Sequence, residues 1–142
     1  MSILWIDDST TQRIGLAKLL KAEGYTDLLL AASATDAIAQ LERQGDTIDL
    51  ILSDVNMPGI NGIEVCRRVK STPAWQDIPV IMITSSDDSN SLPIAFEAGA
   101  MDFITKPPHK IEWVARVQSA LKLKQEMDRR KATRRIRHLK IA

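Results

Sequence analysis

The chain has 142 residues, 44% of them hydrophobic and 26% charged, which is the composition of one soluble globular domain and excludes disorder, collagen or low-complexity structure for most of its length. Its formal charge of +1 hides an asymmetry. From Lys124 onward eight basic residues (Lys124, Arg129, Arg130, Lys131, Arg134, Arg135, Arg137, Lys140) face two acids, Glu126 and Asp128, a net of +6, while residues 1–123 hold 11 basic and 16 acidic groups, a net of −5.

A single cysteine, Cys66, rules out an internal disulfide and a cysteine-based zinc site, and fits a reducing, cytoplasmic compartment. No apolar run approaches the length of a membrane span. The first eight residues lack a basic segment and turn acidic at Asp7-Asp8, unlike a secretory signal.

In chain order, short apolar runs alternate with amphipathic stretches. Residues 3–6 (ILWI) read as a buried strand, and residues 10–23 as a helix with Ile14, Leu16, Ala17, Leu19 and Leu20 at helical spacing, stopped by Gly24. Residues 27–32 are the second strand. Residues 33–43 are a helix with a small-residue face (Ala34, Ala37, Ile38, Leu41) ending near Gly45. Residues 48–52 form the third strand, and residues 61–70 a helix carrying Ile63, Val65, Cys66 and Val69. Residues 79–84 are the fourth strand, and residues 92–98 a short helix ended by Gly99. Residues 101–104 are the fifth strand, and a long helix starts near His109.

Strands that alternate with helices imply parallel strands joined by right-handed crossovers. Five such units give an α/β, (βα)5 doubly wound sheet of order 2-1-3-4-5, flavodoxin-like, with an extended C-terminal helix. Ligands of such folds bind beyond the carboxyl ends of the strands. There the sequence places Asp7-Asp8 after strand 1, Ser53-Asp54 after strand 3, Thr84-Ser85-Ser86 after strand 4, and Thr105-Lys106-Pro107 after strand 5. Three carboxylates, a hydroxyl and an ammonium meet in one crevice. Carboxylates so close raise one another's pKa, and a hard divalent cation, best Mg²⁺, together with the lysine would relieve them. Such a set suits a phosphoryl group, with a carboxylate able to serve as nucleophile. Asp8, Ser9 and Thr10 are equally able to cap the first helix.

These residues give the chain its resemblance to the receiver domains of two-component response regulators. It covers residues 1–123 and rests on Asp7-Asp8-Ser9, Asp54-Val55-Asn56-Met57-Pro58-Gly59, Thr84-Ser85 and Phe103-Ile104-Thr105-Lys106-Pro107. The resemblance implies that Asp54 is the phosphoacceptor. Asp8 would bind Mg²⁺ directly, Asp7 mainly through water, and the carbonyl of Asn56 would complete the protein's share of the metal shell. Lys106 would pair with the phosphoryl group, Thr84 would move to hydrogen-bond it, and Phe103 would change rotamer in concert. Asn56 and Ser86 stand where phosphate lifetime is tuned, and the Lys106–Pro107 peptide is expected to be cis. The phosphoryl source would be a partner histidine kinase or a histidine phosphotransfer protein, and the output face helix 4, strand 5 and helix 5.

Pro93 predicts a short or late-starting fourth helix, capped by Ser89 or Ser91. Trp5 reads as a core aromatic, Trp75 and Trp113 as packing or surface residues, and Cys66 as a small apolar core residue. The enzyme alternative is a haloacid-dehalogenase-like Mg²⁺ phosphatase with Asp54 as nucleophile. That class wants a second Asp two residues on, where this chain has Asn56, so a signalling domain without independent substrate turnover is expected.

Residues 124–142 form a separate basic extension. As one helix from residue 109 to residue 139 the segment would be about 45 Å long. The stripe Val114, Val117, Leu121 runs on into Lys124 and Asp128, so this face is expected to leave the body there. Three readings compete: a helix leading to an output domain, such as a cyclic-di-GMP-forming cyclase; a helix for a partner or homodimer; and a nucleic-acid-binding tail, which no recognition fold supports.

Overall fold

The computed structural model describes residues 1–57, 61–84, 91–106 and 109–141. Five parallel strands, β1 (Ser2–Ile6), β2 (Leu28–Ala31), β3 (Ile48–Asp54), β4 (Val80–Thr84) and β5 (Asp102–Thr105), lie in the order β2-β1-β3-β4-β5. The helices between and after them are α1 (Thr10–Ala22), α2 (Ala34–Gln44), α3 (Gly62–Ser71), α4 (Leu92–Glu97) and α5 (Lys110–Ile141). The expected α/β sheet of order 2-1-3-4-5 with a long last helix is the fold observed.

Both faces of the sheet are covered, which is why its strands read as continuous apolar runs rather than alternating ones. Side chains alternate between two cores. Ile3, Trp5, Leu50, Leu52, Ile81 and Ile83 face α1 and α5, where Leu16, Leu20, Trp113, Val117 and Leu121 meet them. Leu4, Ile6, Ile51 and Met82 face α2, α3 and α4, where Ala37, Leu41, Ile63, Val69 and Ala95 meet them. Trp5 is 2% exposed, a core aromatic as expected. Cys66 is fully buried, its Sγ placed 3.5 Å from the Ala98 carbonyl, and burial pushes its thiol up to about 11. It is an inert packing group.

Local signals set the helix ends. Ser9, Ser33 and Asn61 cap α1, α2 and α3, each accepting a hydrogen bond from the main-chain N–H three residues on. Gly24 and Gly99 follow α1 and α4 at φ of 95° and 106°, a conformation that costs other residues strain. Helix α4 has only six residues, with Pro93 in its first turn. Ser91 holds the N-cap position without a side-chain cap bond. Ser89, the other candidate cap, lies outside the described residues. A 3-10 turn, Gly45–Thr47, joins α2 to β3 and was not legible in the apolar pattern.

One expectation needs correction. The inner face of α5 does not leave the body after Leu121. Lys124 is buried, its Nζ 2.6 Å from Asp128 Oδ1, and Lys131 forms an ion pair with Asp77 in the turn before β4. A polar cavity of about 520 Å³ between them is lined by Asp46, Asp77 and Ile78 on the body and by Asp128, Lys131 and Arg135 on the helix. The physical reason is charge: the basic helix lies along acidic residues at the amino end of the sheet. Beyond this contact, Ile136 and Leu139 are exposed.

We expect truncation after residue 123 to leave a folded domain, because all five strands and their core partners remain. The midpoint of thermal unfolding should fall by several degrees, the loss of Lys124 packing and the Lys131 pair amounting to about 1 kcal/mol. Circular dichroism melting of both chains checks this, and a truncated chain without a cooperative transition contradicts it.

Candidate functional site

The parallel topology brings the carboxyl ends of β1, β3, β4 and β5 side by side, so residues scattered over a hundred positions converge there. Asp7 is fully buried just past β1, and Asp54, 7% exposed, closes β3. Asp8 is exposed. One carboxylate oxygen from each lies within 4.8 Å of the others. Ser9, not Asp8, supplies the helix cap, which leaves the Asp8 carboxylate to the site.

The carboxylates of Asp7 and Asp54 are held in place. Asp7 Oδ1 accepts from the Ser9 N–H at 2.9 Å, and the Asp7 carbonyl accepts from Arg13 Nη1 at 2.6 Å. Asp54 Oδ1 accepts from the Asn56 N–H at 3.3 Å. Asp54 Oδ2 accepts from Lys106 Nζ at 3.2 Å. The same ammonium donates to Gln12 Oε1 at 2.6 Å and stands 4.0 Å from Asp7 Oδ2. Lys106 is aimed by its backbone: its N–H donates to the Thr84 carbonyl at 2.7 Å, extending the β4–β5 ladder by one bond. Thr84 is buried beside it on β4.

The cluster carries electrostatic strain. Burial pushes the Asp7 carboxyl above its ordinary value of 3.8; the Ser9 hydrogen bond opposes this, and the Asp54 charge adds to it. Asp7 Oδ2 is buried without a hydrogen-bond partner among the described residues. A hard-oxygen set of three carboxylates with one orphaned buried oxygen fits a small divalent cation.

Two contributors were missed by reading the sequence. Gln12 holds Lys106 from the first turn of α1, and nothing in its residue type marks that role. Gly62 opens α3 under the site: its N–H donates to the Val55 carbonyl at 3.1 Å, and a Cβ there would collide with the Asp54 carbonyl oxygen. A glycine directly after the helix cap was the available signal. Phe103 is half-buried and meets Phe96 edge-on, ring centroids 5.7 Å apart at 80°. Ser85, Ser86, Pro58, Gly59 and Pro107, and so the lifetime-tuning role of Ser86 and the cis peptide at Lys106–Pro107, lie outside the described residues.

Fold and site together define an α/β domain with an acidic crevice at the carboxyl edge of its sheet. The response regulator receiver domain family matches residues 3–118, so the chain belongs to that family. It is 38% identical over 126 residues to response regulator PleD of Caulobacter vibrioides (strain NA1000 / CB15N), covering 89% of this chain and 27% of PleD. It is 35% identical over 107 residues to chemotaxis protein CheY1 of Helicobacter pylori (strain ATCC 700392 / 26695), covering 75% of this chain and 86% of CheY1. A solved probable two-component system response regulator/GGDEF domain protein superposes with a TM-score of 0.80 at 30% identity, covering 88% of this chain and 50% of that one. The chain thus spans half or less of the length of two of these three. No described helix is long and apolar enough to cross a membrane.

Two substitutions test the geometry. Asp7→Asn keeps an acceptor for Ser9 but removes a buried charge, so it should stabilise the protein in chelator at pH 7 by about 1 kcal/mol. The sign follows from the raised pKa. The charged form is the penalised one, so the gain is full above the folded pKa, declines as pH falls through it, and vanishes below 3.8, where wild type is protonated in both states. Urea unfolding against pH reads it, and a variant less stable than wild type at pH 7 contradicts it. Gly62→Ala should cost about 2 kcal/mol, because the added methyl must displace the Asp54 carbonyl or the helix.

Proposed function

We propose that the chain is the phosphoacceptor receiver of a two-component system, with Asp54 as the residue phosphorylated. The observation that carries this is the Asp54 carboxylate, gripped by Lys106 and the Asn56 N–H inside a cluster of three acids. The donor is a phosphohistidine on a partner kinase or phosphotransfer protein. One Asp54 oxygen forms the new O–P bond as the P–N bond breaks, and the imidazole nitrogen leaves with the electron pair. The carboxylate is the nucleophile, and the Lys106 ammonium 3.2 Å from its Oδ2 holds it in place.

The protein's own groups do the rest. Asp8, Asp7, Asp54 and the Asn56 carbonyl would hold Mg²⁺. That ion, when bound, neutralises the phosphoryl oxygens and relieves the repulsion among the acids. Lys106 remains with the new phosphoryl group, whose charge of nearly −2 and three acceptor oxygens compete for the ammonium now shared by Gln12 and Asp7. Thr84 supplies a hydroxyl donor from the adjacent strand. Its movement would free space for Phe103 and carry the signal to α4, β5 and α5, where Ile94, Phe96 and Met101 are exposed. An output domain in the same polypeptide is supported by the relatives' greater length and by the GGDEF-containing structure.

Acetyl phosphate or phosphoramidate with Mg²⁺ should label the chain with one acid-stable, base-labile phosphoryl group, lost in Asp54→Asn. Steady turnover of phosphate monoesters, or labelling that survives Asp54→Asn, contradicts the reading. Lys106→Ala should still be labelled, but the Phe103 ring resonances should no longer shift on phosphorylation. A variant whose Phe103 signals respond as in wild type removes Lys106 from the relay.

A further inference from the structure

An ammonium beside a cluster of acids ordinarily places its three N–H donors on the carboxylates. Lys106 does not. Its Nζ lies closer to a neutral group, Gln12 Oε1 at 2.6 Å, than to either acid. Asp54 Oδ2 is 3.2 Å away, and Asp7 Oδ2 is 4.0 Å away, too far for a hydrogen bond. Two donors are engaged and the third is left over.

The acceptor that the third donor would take is close by. Asp7 is fully buried, and its Oδ1 accepts from the Ser9 N–H. Its Oδ2 has no hydrogen-bond partner among the described residues. Such an oxygen attracts any donor that can reach it. A movement of about 1 Å would bring the ammonium into range.

The backbone does not prevent that movement. The Lys106 N–H is pinned to the Thr84 carbonyl, but a flexible four-carbon stem separates it from the ammonium. Gln12 is the restraint. Its own N–H donates to the Ser9 cap at 3.3 Å, which fixes it in the first turn of α1. Gln12 and Lys106 both line the groove between α1 and α5, and Asp7 does not. The hydrogen bond therefore draws the ammonium toward the groove and away from the buried acid. Because an ammonium only donates, the amide must present its oxygen.

We propose that Gln12 is a positioning residue that holds Lys106 off Asp7 and so keeps Asp7 Oδ2 free for Mg²⁺ or its bound water. This role rests on the reading of the three acids as a Mg²⁺ site. Without Gln12 the ammonium settles between Asp7 and Asp54, engages both carboxylates, and puts its own charge where the ion's belongs. With Gln12 in place, ammonium and ion divide the cluster, Lys106 taking Asp54 Oδ2 from the groove side. Gln12 needs no contact with the ion or the phosphoryl group, since it acts through Lys106.

Isothermal titration calorimetry of the full chain with MgCl₂, and no phosphodonor, tests this. Gln12→Met keeps the length and helix preference of the side chain but removes the acceptor, and position 12 is exposed, so the fold is not at stake. It should weaken Mg²⁺ binding about three- to tenfold, the factor that a partly exposed hydrogen bond to a charged group is worth. Gln12→Glu keeps an oxygen at the same reach and should show no such loss. In a Lys106→Ala background, Gln12→Met should change Mg²⁺ affinity by less than about twofold, because no ammonium is left to misplace. Labelling by acetyl phosphate gives a second reading: Gln12→Met should need more Mg²⁺ to reach half its maximal rate, with that maximal rate within about twofold of wild type. Wild-type Mg²⁺ affinity in Gln12→Met, or an equal loss in the Lys106→Ala background, overturns the role of Gln12. A wild-type chain that takes up no Mg²⁺ overturns it together with the metal reading beneath it, a result separate from failure to label Asp54, which the calorimetry does not use.

Discussion

Three carboxylates compressed at the carboxyl edge of a parallel sheet are the constraint that the rest of this structure serves. Left alone they repel, and burial of Asp7 makes its charge costlier still. Lys106 is the protein's own answer. Its ammonium is shared among Asp54, Asp7 and Gln12, and its backbone is pinned to Thr84. Ser9 caps α1 so that Asp8 need not, and Gly62 lets α3 begin against the Asp54 carbonyl. A site strained in this way is poised to respond to a change of charge, because any added cation or anion redistributes the same few hydrogen bonds.

The charge asymmetry of the chain acquires a place in three dimensions. The acidic body and the basic last helix meet at the opposite end of the sheet from the carboxylate cluster. Lys131 pairs with Asp77 across the seam, while Lys124 is buried and pairs with Asp128 within the helix. The helix is therefore part domain and part extension. Its buried face ends at Lys124, the Lys131–Asp77 ion pair ties the next turns to the body, and Ile136 and Leu139 beyond are exposed. Any output coupled to this helix would feel the body through that polar seam as well as through the α4–β5–α5 face.

Much of the architecture was legible because hydrophobic period and turn residues speak for local structure. Apolar runs such as residues 3–6 and 79–84 declare buried strands, Gly24 and Gly99 declare helix stops, and Pro93 declares a helix that starts late. The carboxylates were legible too, since five alternating units fit a doubly wound sheet of order 2-1-3-4-5, and that order sets which strand ends become neighbours. The roles of Gln12, Gly62 and the inner face of α5 were not. A glutamine in a first turn, a glycine after a cap and a lysine in a basic run each have ordinary local explanations. What distinguishes them is a contact with a residue distant in sequence: Lys106 for Gln12, Asp54 for Gly62, Asp77 for Lys131.

The sequence by itself determined the element order, the sheet topology, the family and the residues at the strand ends, because these follow from periodicity and local backbone preference. The tertiary structure alone decided how one ammonium is divided among its partners, which carboxylate is buried and which exposed, and where the last helix parts from the body. Those depend on distances across packed elements, and no pattern along a single chain encodes a distance between residues a hundred positions apart.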